Sequence, residues 1–489
     1  MTRLPPLGNR TVSSAFTDTG TTRLGRAVAP MLSAHPSTCG VYPLRDARNA
    51  FAARVLLARA AQRSLDLQYY IWHDDISGRL LFQALLDAAK RGVRVRLLLD
   101  DNDTSGLDTM LSVLDAGPNV EVRLFNPFSV RNPRWLGYLT DFSRLNHRMH
   151  NKSFTADNQV AIVGGRNIGD EYFAANQAGP LFADLDIMAI GPVVREVSNQ
   201  FDRYWASESS YPLDRLVPPA TAARIAEVTS QLSSTVQHDA SAEYRAAIET
   251  LPFVHHVIDH TLAFEWAAVH TISDDPAKAA GRAARKSLLI EQMAHIFGEP
   301  KTEVDLVSPY FVPGRMGTEA FRRWSAHGVK IRILTNALEA TDVAAVHAGY
   351  AKHRRDLLAA GVTLYELRRA ARIPRTAAGP LGSSSASLHA KTFAVDGSRV
   401  FVGSFNFDPR SARLNTEMGF VIDSPPLAQE IGHAFDTTVP INAYEVHVAQ
   451  SGKMYWSNGG LRYDSEPGTS IWRRGVVRIA SRLPIEWLL

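Results

Sequence analysis

Residues His150–Asp157 read His-Asn-Lys-Ser-Phe-Thr-Ala-Asp, and residues His389–Asp396 read His-Ala-Lys-Thr-Phe-Ala-Val-Asp. Both stretches fit the pattern His-x-Lys-x4-Asp, and the second begins 239 residues after the first (389 − 150). At the same offset, Gly164–Asn167 corresponds to Gly403–Asn406, so that Gly-(Gly/Ser)-x-Asn follows both motifs. A pattern that recurs at one fixed offset indicates an internal duplication.

The segments upstream of the two motifs also correspond. Ser64–Tyr70 matches Glu303–Pro309, and Arg91–Leu98 matches His327–Leu334. Apolar residues between these segments have helical spacing in both halves of the chain. Each half therefore begins strand, helix, strand, which predicts a parallel pair of strands with a right-handed crossover. The fold class that we predict is α/β, built from two similar halves.

The repeat gives the predicted domain boundaries. They are an extended N-terminal arm over 1–45, a first half over 46–212, a linker of helices and loops over 213–285, a second half over 286–430, and a tail with a basic amphipathic helix over 431–489.

The composition is that of an ordinary globular protein. Of 489 residues 45% are apolar and 21% are charged, and Gly and Pro together make up 58 (32 + 26), which argues against collagen-like or disordered chains. The formal net charge of +4 is diffuse, so no nucleic-acid partner is predicted. Uncharged apolar runs reach about eight residues, too few for a membrane-spanning helix.

The N-terminus lacks the apolar core of a signal peptide. We therefore expect a cytoplasmic protein, unless a targeting segment lies upstream of the given sequence. Cys39 is the single cysteine, so an intramolecular disulfide is excluded.

Each motif places several polar groups together. His150 and Lys152 are two residues apart in a strand-like run, so they project from the same face, as do His389 and Lys391. The dipeptides that begin with Asp157 and Asp396 are typical of hairpin turns. The returning strand then ends in Asn167 or Asn406 beside the histidine and lysine.

Two such sets suit phosphoryl transfer without a metal. One neutral imidazole would attack phosphorus and form a phosphohistidine, while the other would protonate the leaving alcohol and later deprotonate the acceptor. The lysines and asparagines would hold the charge on the phosphate oxygens, so no cofactor is predicted. Each imidazole also needs a carboxylate that orients it, and the predicted candidates are Asp186 and Glu417, whose offset of 231 departs from that of the motifs.

At these residues the sequence resembles the phospholipase D superfamily, whose hallmark is a duplicated His-Lys-Asp motif. Arg148–Ser153 and Val163–Phe173, together with Gln68–Trp72, are similar to the bacterial cardiolipin synthases, in particular to their C type. The resemblance covers roughly residues 46–430. It implies two phospholipase D-like halves packed as a pseudo-twofold bilobal monomer with one active site shared by both.

The resemblance also implies roles for individual residues. The implied catalytic residues are His150, Lys152, Asp157, His389, Lys391 and Asp396, and the implied phosphate-binding residues are Asn167, Ser404 and Asn406. His150 is favoured as the nucleophile, because the N-terminal-half histidine usually has this role in the superfamily. Asp157 and Asp396 are expected to act through the turn and the framework. Gly165 departs from the pattern, since many members have Ser there, as at Ser404.

The implied activity is synthesis of cardiolipin. A phosphatidyl group from phosphatidylglycerol or phosphatidylethanolamine would pass through a phosphohistidine to the hydroxyl of phosphatidylglycerol. The alternatives are a hydrolase that releases phosphatidic acid, a nuclease that uses the same motifs on DNA, and an inactive scaffold that binds anionic lipids. The residues do not choose among acceptors, nor do they identify a protein partner.

Two segments bear on contact with an anionic membrane. Ile471–Leu483 has an apolar helical stripe and three arginines spaced four apart, and Arg131–Arg148 mixes aromatic residues with four arginines. For both segments, packing on the protein's own core with solvated arginines is the more frequent arrangement. The acidic run Asp101–Gly106 is interpreted as a strand-to-helix loop that could border the substrate cleft.

Overall fold

The structure is a computed structural model that describes residues 4–173, 184–238, 241–251, 256, 259, 261–341, 343–369 and 388–481. The chain forms two compact units. Unit 1 comprises Met1–Ala175, Asp186–Leu288 and Leu414–Met418, and unit 2 comprises Asn176–Leu185, Leu289–Arg413 and Gly419–Leu489. Each unit thus contains a short segment from the opposite half of the sequence.

The described residues of unit 1 form a nine-stranded mixed sheet. Its strands are β1 (Cys39–Leu44), β2 (Ser64–Tyr69), β3 (Arg94–Asp100), β4 (Val120–Phe125), β5 (Ser153–Ala156), β6 (Val160–Gly164), β7 (Asp186–Ile190), β8 (Ser210–Pro212) and β9 (Glu265–Ser273). The order across the sheet is β8-β4-β3-β2-β5-β6-β7-β1-β9, in which only β4, β3 and β2 run parallel to one another.

Nine α-helices of unit 1 lie in the described ranges. They are α1 (Arg23–Ala34), α2 (Ala47–Ala60), α3 (Ile76–Lys90), α4 (Asp108–Asp115), α5 (Trp135–Leu145), α6 (Asp170–Phe173), α7 (Pro192–Trp205), α8 (Ala222–Gln237) and α9 (Ala242–Thr250). Asp46 and Asp75 accept backbone N–H bonds at the starts of α2 and α3, which satisfies helix donors that would otherwise lack partners. The apolar sides of α2 and α3 pack in one continuous core with β2 and β3.

Unit 2 repeats this plan. Its strands are β10 (Glu303–Val307), β11 (Lys330–Asn336), β12 (Thr363–Leu367), β13 (Thr392–Val395), β14 (Arg399–Gly403), β15 (Met418–Asp423), β16 (Ala443–Val448), β17 (Met454–Asn458) and β18 (Leu461–Tyr463). The order is β18-β17-β16-β12-β11-β10-β13-β14-β15, in which β12, β11 and β10 are parallel to one another.

The helices described in unit 2 are α10 (Leu289–Phe297), α11 (Gly314–Ala326), α12 (Ala344–Ala359), α13 (Pro409–Arg413), α14 (Pro425–Asn442) and α15 (Ile471–Ala480). Among the described residues of the chain, no helix is long and apolar enough to cross a membrane.

The central six strands of the two sheets correspond one to one. The order β4-β3-β2-β5-β6-β7 in unit 1 matches β12-β11-β10-β13-β14-β15 in unit 2. A buried ion pair recurs at the same place, since Arg96 bonds Asp66 at 2.6 Å in unit 1 and Arg332 bonds Asp305 at 2.6 Å in unit 2. The prediction of two similar α/β halves is confirmed.

The predicted extended arm over 1–45 is wrong, because these residues contain α1 and β1. Thr22 caps α1, and Leu24 and Val28, spaced four apart, bury its inner side. Strand β1 pairs with β7 on one side and β9 on the other. These backbone hydrogen bonds hold the N-terminal segment in the sheet and cover the edge that β7 would otherwise expose.

The predicted linker and tail are also corrected. Residues 213–285 contain α8 and α9 as expected, but they also supply β9 to the sheet of unit 1. The tail over 431–489 contributes β16, β17 and β18 to the sheet of unit 2. Helix α15 lies where the amphipathic helix was predicted, whereas Arg482 and Leu483 lie outside the described residues.

Two glycines give opposite predictions for stability. A Cβ on Gly419 in β15 would lie 2.4 Å from the ring of Phe401 and 2.8 Å from the carbonyl of Val402, whereas a Cβ on Gly475 in α15 would meet nothing within 4 Å. We expect Gly419→Ala to lower the free energy of unfolding by about 1–3 kcal/mol. Gly475→Ala should raise it by about 0.5–1 kcal/mol, because alanine restricts the unfolded chain. Urea titrations followed by circular dichroism measure the free energy of unfolding of both variants. Equal changes in the two variants would contradict the register of β14 against β15.

Candidate active site

His150 lies between β4 and β5 of unit 1 and is almost buried, with 7% of its surface exposed. Its Nδ1 is 2.8 Å from Oε2 of Glu417, which is fully buried. Its backbone N–H donates to the carbonyl of Thr416 at 2.8 Å, which fixes the chain beside the carboxylate. The ring of Tyr70 lies edge-on to the imidazole, with ring centroids 4.9 Å apart. The imidazole is therefore held on several sides.

Glu417 is itself held by Asp274, which follows β9. The backbone N–H of Glu417 donates to Oδ2 of Asp274 at 2.9 Å, and the N–H of Asp274 donates to the carbonyl of Glu417 at 3.0 Å. Lys278 neutralises the Asp274 carboxylate at 2.9 Å. Sequence reasoning missed Asp274, because it lies in a region without the repeat.

His389 in unit 2 has the equivalent arrangement. Its Nδ1 is 2.7 Å from Oδ2 of Asp184, whose side chain is 7% exposed. The side chain of His389 is more open, at 31% exposed. In both units a carboxylate thus binds the Nδ1 nitrogen of the motif histidine.

Asp186, predicted to orient a histidine, does something else. Its carboxylate is buried, lies 2.8 Å from Arg54 and 3.3 Å from Arg166, and accepts the backbone N–H of Arg166. The error was one of register. Gly164 pairs with Asp186 in unit 1 and Gly403 pairs with Gly419 in unit 2, so Asp186 corresponds to Gly419.

Two residues earlier in each half of the sequence, Asp184 corresponds to Glu417. The offset is 233 for both pairs (419 − 186 and 417 − 184). Asp184 and Asp186 are alternate residues, which project to the same side of an extended chain. The sequence alone therefore could not distinguish them.

The motif lysines reach back to their own histidines. Lys152 Nζ donates to the carbonyl of His150 at 2.5 Å and lies 5.4 Å from the centre of the Tyr70 ring. Lys391 Nζ donates to the carbonyl of His389 and lies 3.1 Å from its Nδ1. Each ammonium group thus lies beside the histidine of its own motif.

The predicted asparagines follow the second strand of each motif, Asn167 after β6 and Asn406 after β14. Oδ1 of Asn167 accepts the backbone N–H of Ile71 at 3.1 Å, and its Nδ2 donates to Tyr172 at 3.0 Å. Asn406 and Ser404 are buried after β14 in unit 2. Asn167 thus ties the motif loop to the segment that carries Tyr70.

Asp157 and Asp396 bind backbone. The carboxylate of Asp157 accepts the N–H groups of Gln62, Arg63 and Ser64, at distances from 2.7 to 3.1 Å. Asp396 accepts the equivalent three N–H groups, from Lys301, Thr302 and Glu303. Burial acts to raise the pKa of Asp396, but these bonds outweigh it and the pKa is lowered. The geometry supports the expected framework role.

A polar residue at the end of the second parallel strand binds the backbone just before each histidine. In unit 1, Oδ2 of Asp100 accepts the N–H of Met149 at 2.7 Å. In unit 2, Oδ1 of Asn336 accepts the N–H of Leu388 at 3.0 Å, and its Nδ2 donates to the same residue's carbonyl at 3.2 Å. Sequence reasoning missed both residues, although each is the last residue of a strand in the repeat.

A second contact joins the loop after β2 to the loop after β6. Oδ2 of Asp75 accepts the N–H of Asp170 at 2.6 Å, and Oδ1 of Asp170 accepts the N–H of Ser77 at 2.9 Å. The pKa of Asp75 is raised to about 6, mainly because the carboxyl is buried and also because Asp170 and Glu171 are negatively charged. The backbone N–H bonds that Asp75 accepts act in the opposite direction and lower the pKa.

The family described as cardiolipin synthase, phospholipase D-like domain, matches residues 56–205 and 293–439. The chain belongs to this family. This match confirms the resemblance to cardiolipin synthases that the motifs indicated.

Individual members of the family are also similar over most of the chain. Cardiolipin synthase C of Escherichia coli is 53% identical over 96% of this chain and 100% of its own. The major cardiolipin synthase of Bacillus subtilis is 27% identical over 80% of this chain and 67% of its own. Among solved structures, phosphatidylserine synthase of Haemophilus influenzae covers 96% of this chain and all of its own with a TM-score of 0.60, at 14% identity, which supports the fold.

The corrected carboxylate gives a direct prediction. Asp184→Asn should lower kcat roughly 10²-fold or more with little loss of stability, because an amide cannot stabilise the imidazolium as a carboxylate does. Asp186→Asn should lower the free energy of unfolding by roughly 3–5 kcal/mol, since it breaks a buried ion pair, and leave kcat of the folded fraction within a few-fold. Turnover and urea unfolding of both variants are the measurements. A loss of kcat in Asp186→Asn equal to that in Asp184→Asn would contradict the assignment.

The raised pKa of Asp75 predicts a pH dependence of stability. The unfolded carboxyl titrates near 3.9, so between about pH 4 and 6 the folded state holds a proton that the unfolded state has lost. The contribution of Asp75 to stability therefore falls as the pH rises through this window. The free energy of unfolding of Asp75→Asn, relative to that of the parent protein, should therefore rise by roughly 2–3 kcal/mol from pH 4 to pH 7. Unfolding measured across this range tests it; a constant difference would refute it.

Proposed function

We propose that the protein is a phosphatidyltransferase that makes cardiolipin, with phosphatidylglycerol as the acceptor and phosphatidylglycerol or phosphatidylethanolamine as the donor. The observation that carries the proposal is the hydrogen bond between Nδ1 of each motif histidine and a carboxylate, Glu417 for His150 and Asp184 for His389. Membership of the cardiolipin synthase family and the names of the relatives support the same activity.

The carboxylate sets the tautomer of each imidazole. A neutral histidine that donates its Nδ1 proton to a carboxylate has its lone pair on Nε2. That nitrogen can attack phosphorus or accept a proton, and the carboxylate then stabilises the imidazolium that forms. Burial of Glu417 and near-burial of Asp184 strengthen this interaction, because little water screens it.

In the first step, Nε2 of His150 forms a bond to the phosphorus of the donor, and the bond from phosphorus to the headgroup oxygen breaks. His389, as the acid, gives its proton to the leaving headgroup alcohol. The product is a phosphatidyl group on His150 and a neutral His389.

In the second step, the hydroxyl of phosphatidylglycerol attacks the same phosphorus and His389 takes up its proton. The bond between phosphorus and nitrogen breaks and restores His150. Lys152 and Lys391, with Asn167, Ser404 and Asn406, bind the phosphate oxygens in both steps and stabilise the charge that develops on them.

The lipid substrates imply contact with an anionic membrane surface. Helix α15 supports this part of the proposal, because Ile471, Trp472, Val476 and Ile479 are all exposed while Val477 packs against Leu338 and Ala348. Arg478 is also exposed and adds positive charge beside these apolar side chains. A basic amphipathic helix of this kind binds at the surface of an anionic bilayer.

Lipid mass spectrometry tests the activity. The purified protein is incubated with phosphatidylglycerol vesicles, with and without phosphatidylethanolamine, and we expect cardiolipin as the main product. Dependence of the yield on the second lipid identifies the donor. His150→Ala and His389→Ala should each lose at least about 10³-fold in turnover, because each removes a group that makes or breaks a bond.

The control is His433→Ala on α14, an exposed histidine outside the motifs, which should keep full activity. Phosphatidic acid as the sole product would refute the transferase and indicate hydrolysis. Substantial turnover in either motif variant would refute the two-histidine scheme. No change in either lipid would direct the search to other phosphodiesters.

A further inference from the structure

Helix α5 in unit 1, which is kinked at Asp141, exposes three large apolar side chains. Trp135 is 61% exposed, Leu139 is 74% exposed and Phe142 is 47% exposed. Among the described residues of unit 1, Val12 is the single other large apolar residue that is comparably exposed. Gly137 on the same helix is buried against Phe128, so α5 is anchored on one side and open on the other.

The arginines around α5 are paired with carboxylates of the protein. Arg131 and Arg134 both bond Asp108 and lie against Asp101, and Arg144 bonds Asp141 at 2.6 Å. Arg148 is buried and bonds Asp100 at 3.1 Å. Each of the four positive charges is therefore offset by a carboxylate within the protein. The exposed surface of α5 is apolar with little net charge, which differs from the basic headgroup contact that sequence reasoning considered.

A chain of contacts connects this helix to His150. The hydroxyl of Tyr138 on α5 donates to Oδ1 of Asn102 at 2.6 Å, and Nδ2 of Asn102 is 3.4 Å from the hydroxyl of Tyr70. The ring of Tyr70 in turn lies against the imidazole of His150. Asn102 belongs to the loop after β3 that sequence reasoning placed at the border of the cleft. Helix α5 is thus linked to His150 through Asn102 and Tyr70.

We propose that Trp135, Leu139 and Phe142 insert into the lipid bilayer and seat the catalytic histidine of unit 1 at the membrane surface, where a phospholipid enters the site. The inference rests on the proposed function, because it takes membrane lipids as the substrates. It adds the element that meets the bilayer and the kind of force that holds it there.

The physical chemistry of the patch favours a bilayer over other occupants. Burial of apolar surface, at about 25 cal/mol per Å², is the main force that this surface offers. Nucleic acids and acidic proteins bind through unpaired basic side chains, and the arginines here are paired. Trp and Phe suit the boundary between headgroups and acyl chains. Because attraction to α5 is apolar, it should depend weakly on salt, whereas the exposed Arg478 on α15 should respond to salt.

The test compares binding and turnover of the full chain. The variant carries Trp135→Ala, Leu139→Ala and Phe142→Ala; the matched control carries Val12→Ala, Met316→Ala and Leu461→Ala, three apolar residues exposed elsewhere. Flotation with vesicles of phosphatidylcholine and phosphatidylglycerol in equal parts, at low and high salt, measures binding. Thermal unfolding confirms that both proteins are folded.

We expect the α5 variant to bind vesicles roughly tenfold more weakly at both salt concentrations, and the control to bind like the parent protein. Turnover of vesicle phosphatidylglycerol should fall in parallel. Turnover of short-chain phosphatidylglycerol, dispersed as monomers, should stay within twofold, since no bilayer has to be engaged.

Several results would overturn the inference. One is vesicle binding by the α5 variant equal to that of the parent protein, and another is an equal loss of turnover on monomeric lipid, which would mean that α5 acts on the site itself. A change of oligomeric state in the α5 variant, seen by analytical ultracentrifugation without a loss of vesicle binding, would show that a second copy covers the patch. Absence of phosphatidyl transfer by the parent protein would refute the proposed function, while the flotation comparison would still decide whether α5 binds bilayers.

Discussion

The hydrogen bond between a motif histidine and its carboxylate is the interaction on which the arrangement of this chain depends. His150 belongs to the first half of the sequence, but Glu417 comes from the second half. His389 belongs to the second half, and Asp184 comes from the first. Neither half of the chain therefore contains both partners of its own pair. A separately expressed half would leave its imidazole without the group that fixes its tautomer.

This dependence also determines when the site can form. The two partners are 267 residues apart in one pair and 205 residues apart in the other. Contacts between residues so far apart are costly to close and form only when most of the chain is already ordered. The parallel bridge between Met149 and Thr416, with the pair of backbone bonds between Glu417 and Asp274, secures the segment once it has docked. The imidazole of unit 1 is thus ordered by tertiary structure rather than by the motif that contains it.

Sequence alone predicted the features that local patterns and the repeat encode. The repeat gave the α/β class, the pair of parallel strands that begins each half, the two strands at each motif and the turns at Asp157 and Asp396, because these depend on neighbours along the chain. The choice between Asp184 and Asp186 failed, since two alternate residues of an extended chain have the same sidedness and only strand pairing shows which one meets a histidine. Helix α1 was not predicted within the first 45 residues, because Pro30 and several small residues weaken its helical pattern. Its buried apolar residues nevertheless have four-residue spacing. Asp100, Asn336 and Asp274 act through backbone groups of distant residues, which a sequence pattern does not show.

The pair Asp100 and Asn336 shows how two equivalent positions can keep a geometry while they differ in charge. Both side chains accept the N–H of the residue before a motif histidine, at 2.7 Å and 3.0 Å. In unit 1 the same carboxylate lies against the buried guanidinium of Arg148, so a negative charge is required there to offset it. In unit 2 the Asn336 amide instead donates its N–H to the carbonyl of Leu388, a bond that a carboxylate could not form. The retained bond to the backbone points to the position of the histidine as the shared requirement, and the differing charge follows from the partner that each side chain meets.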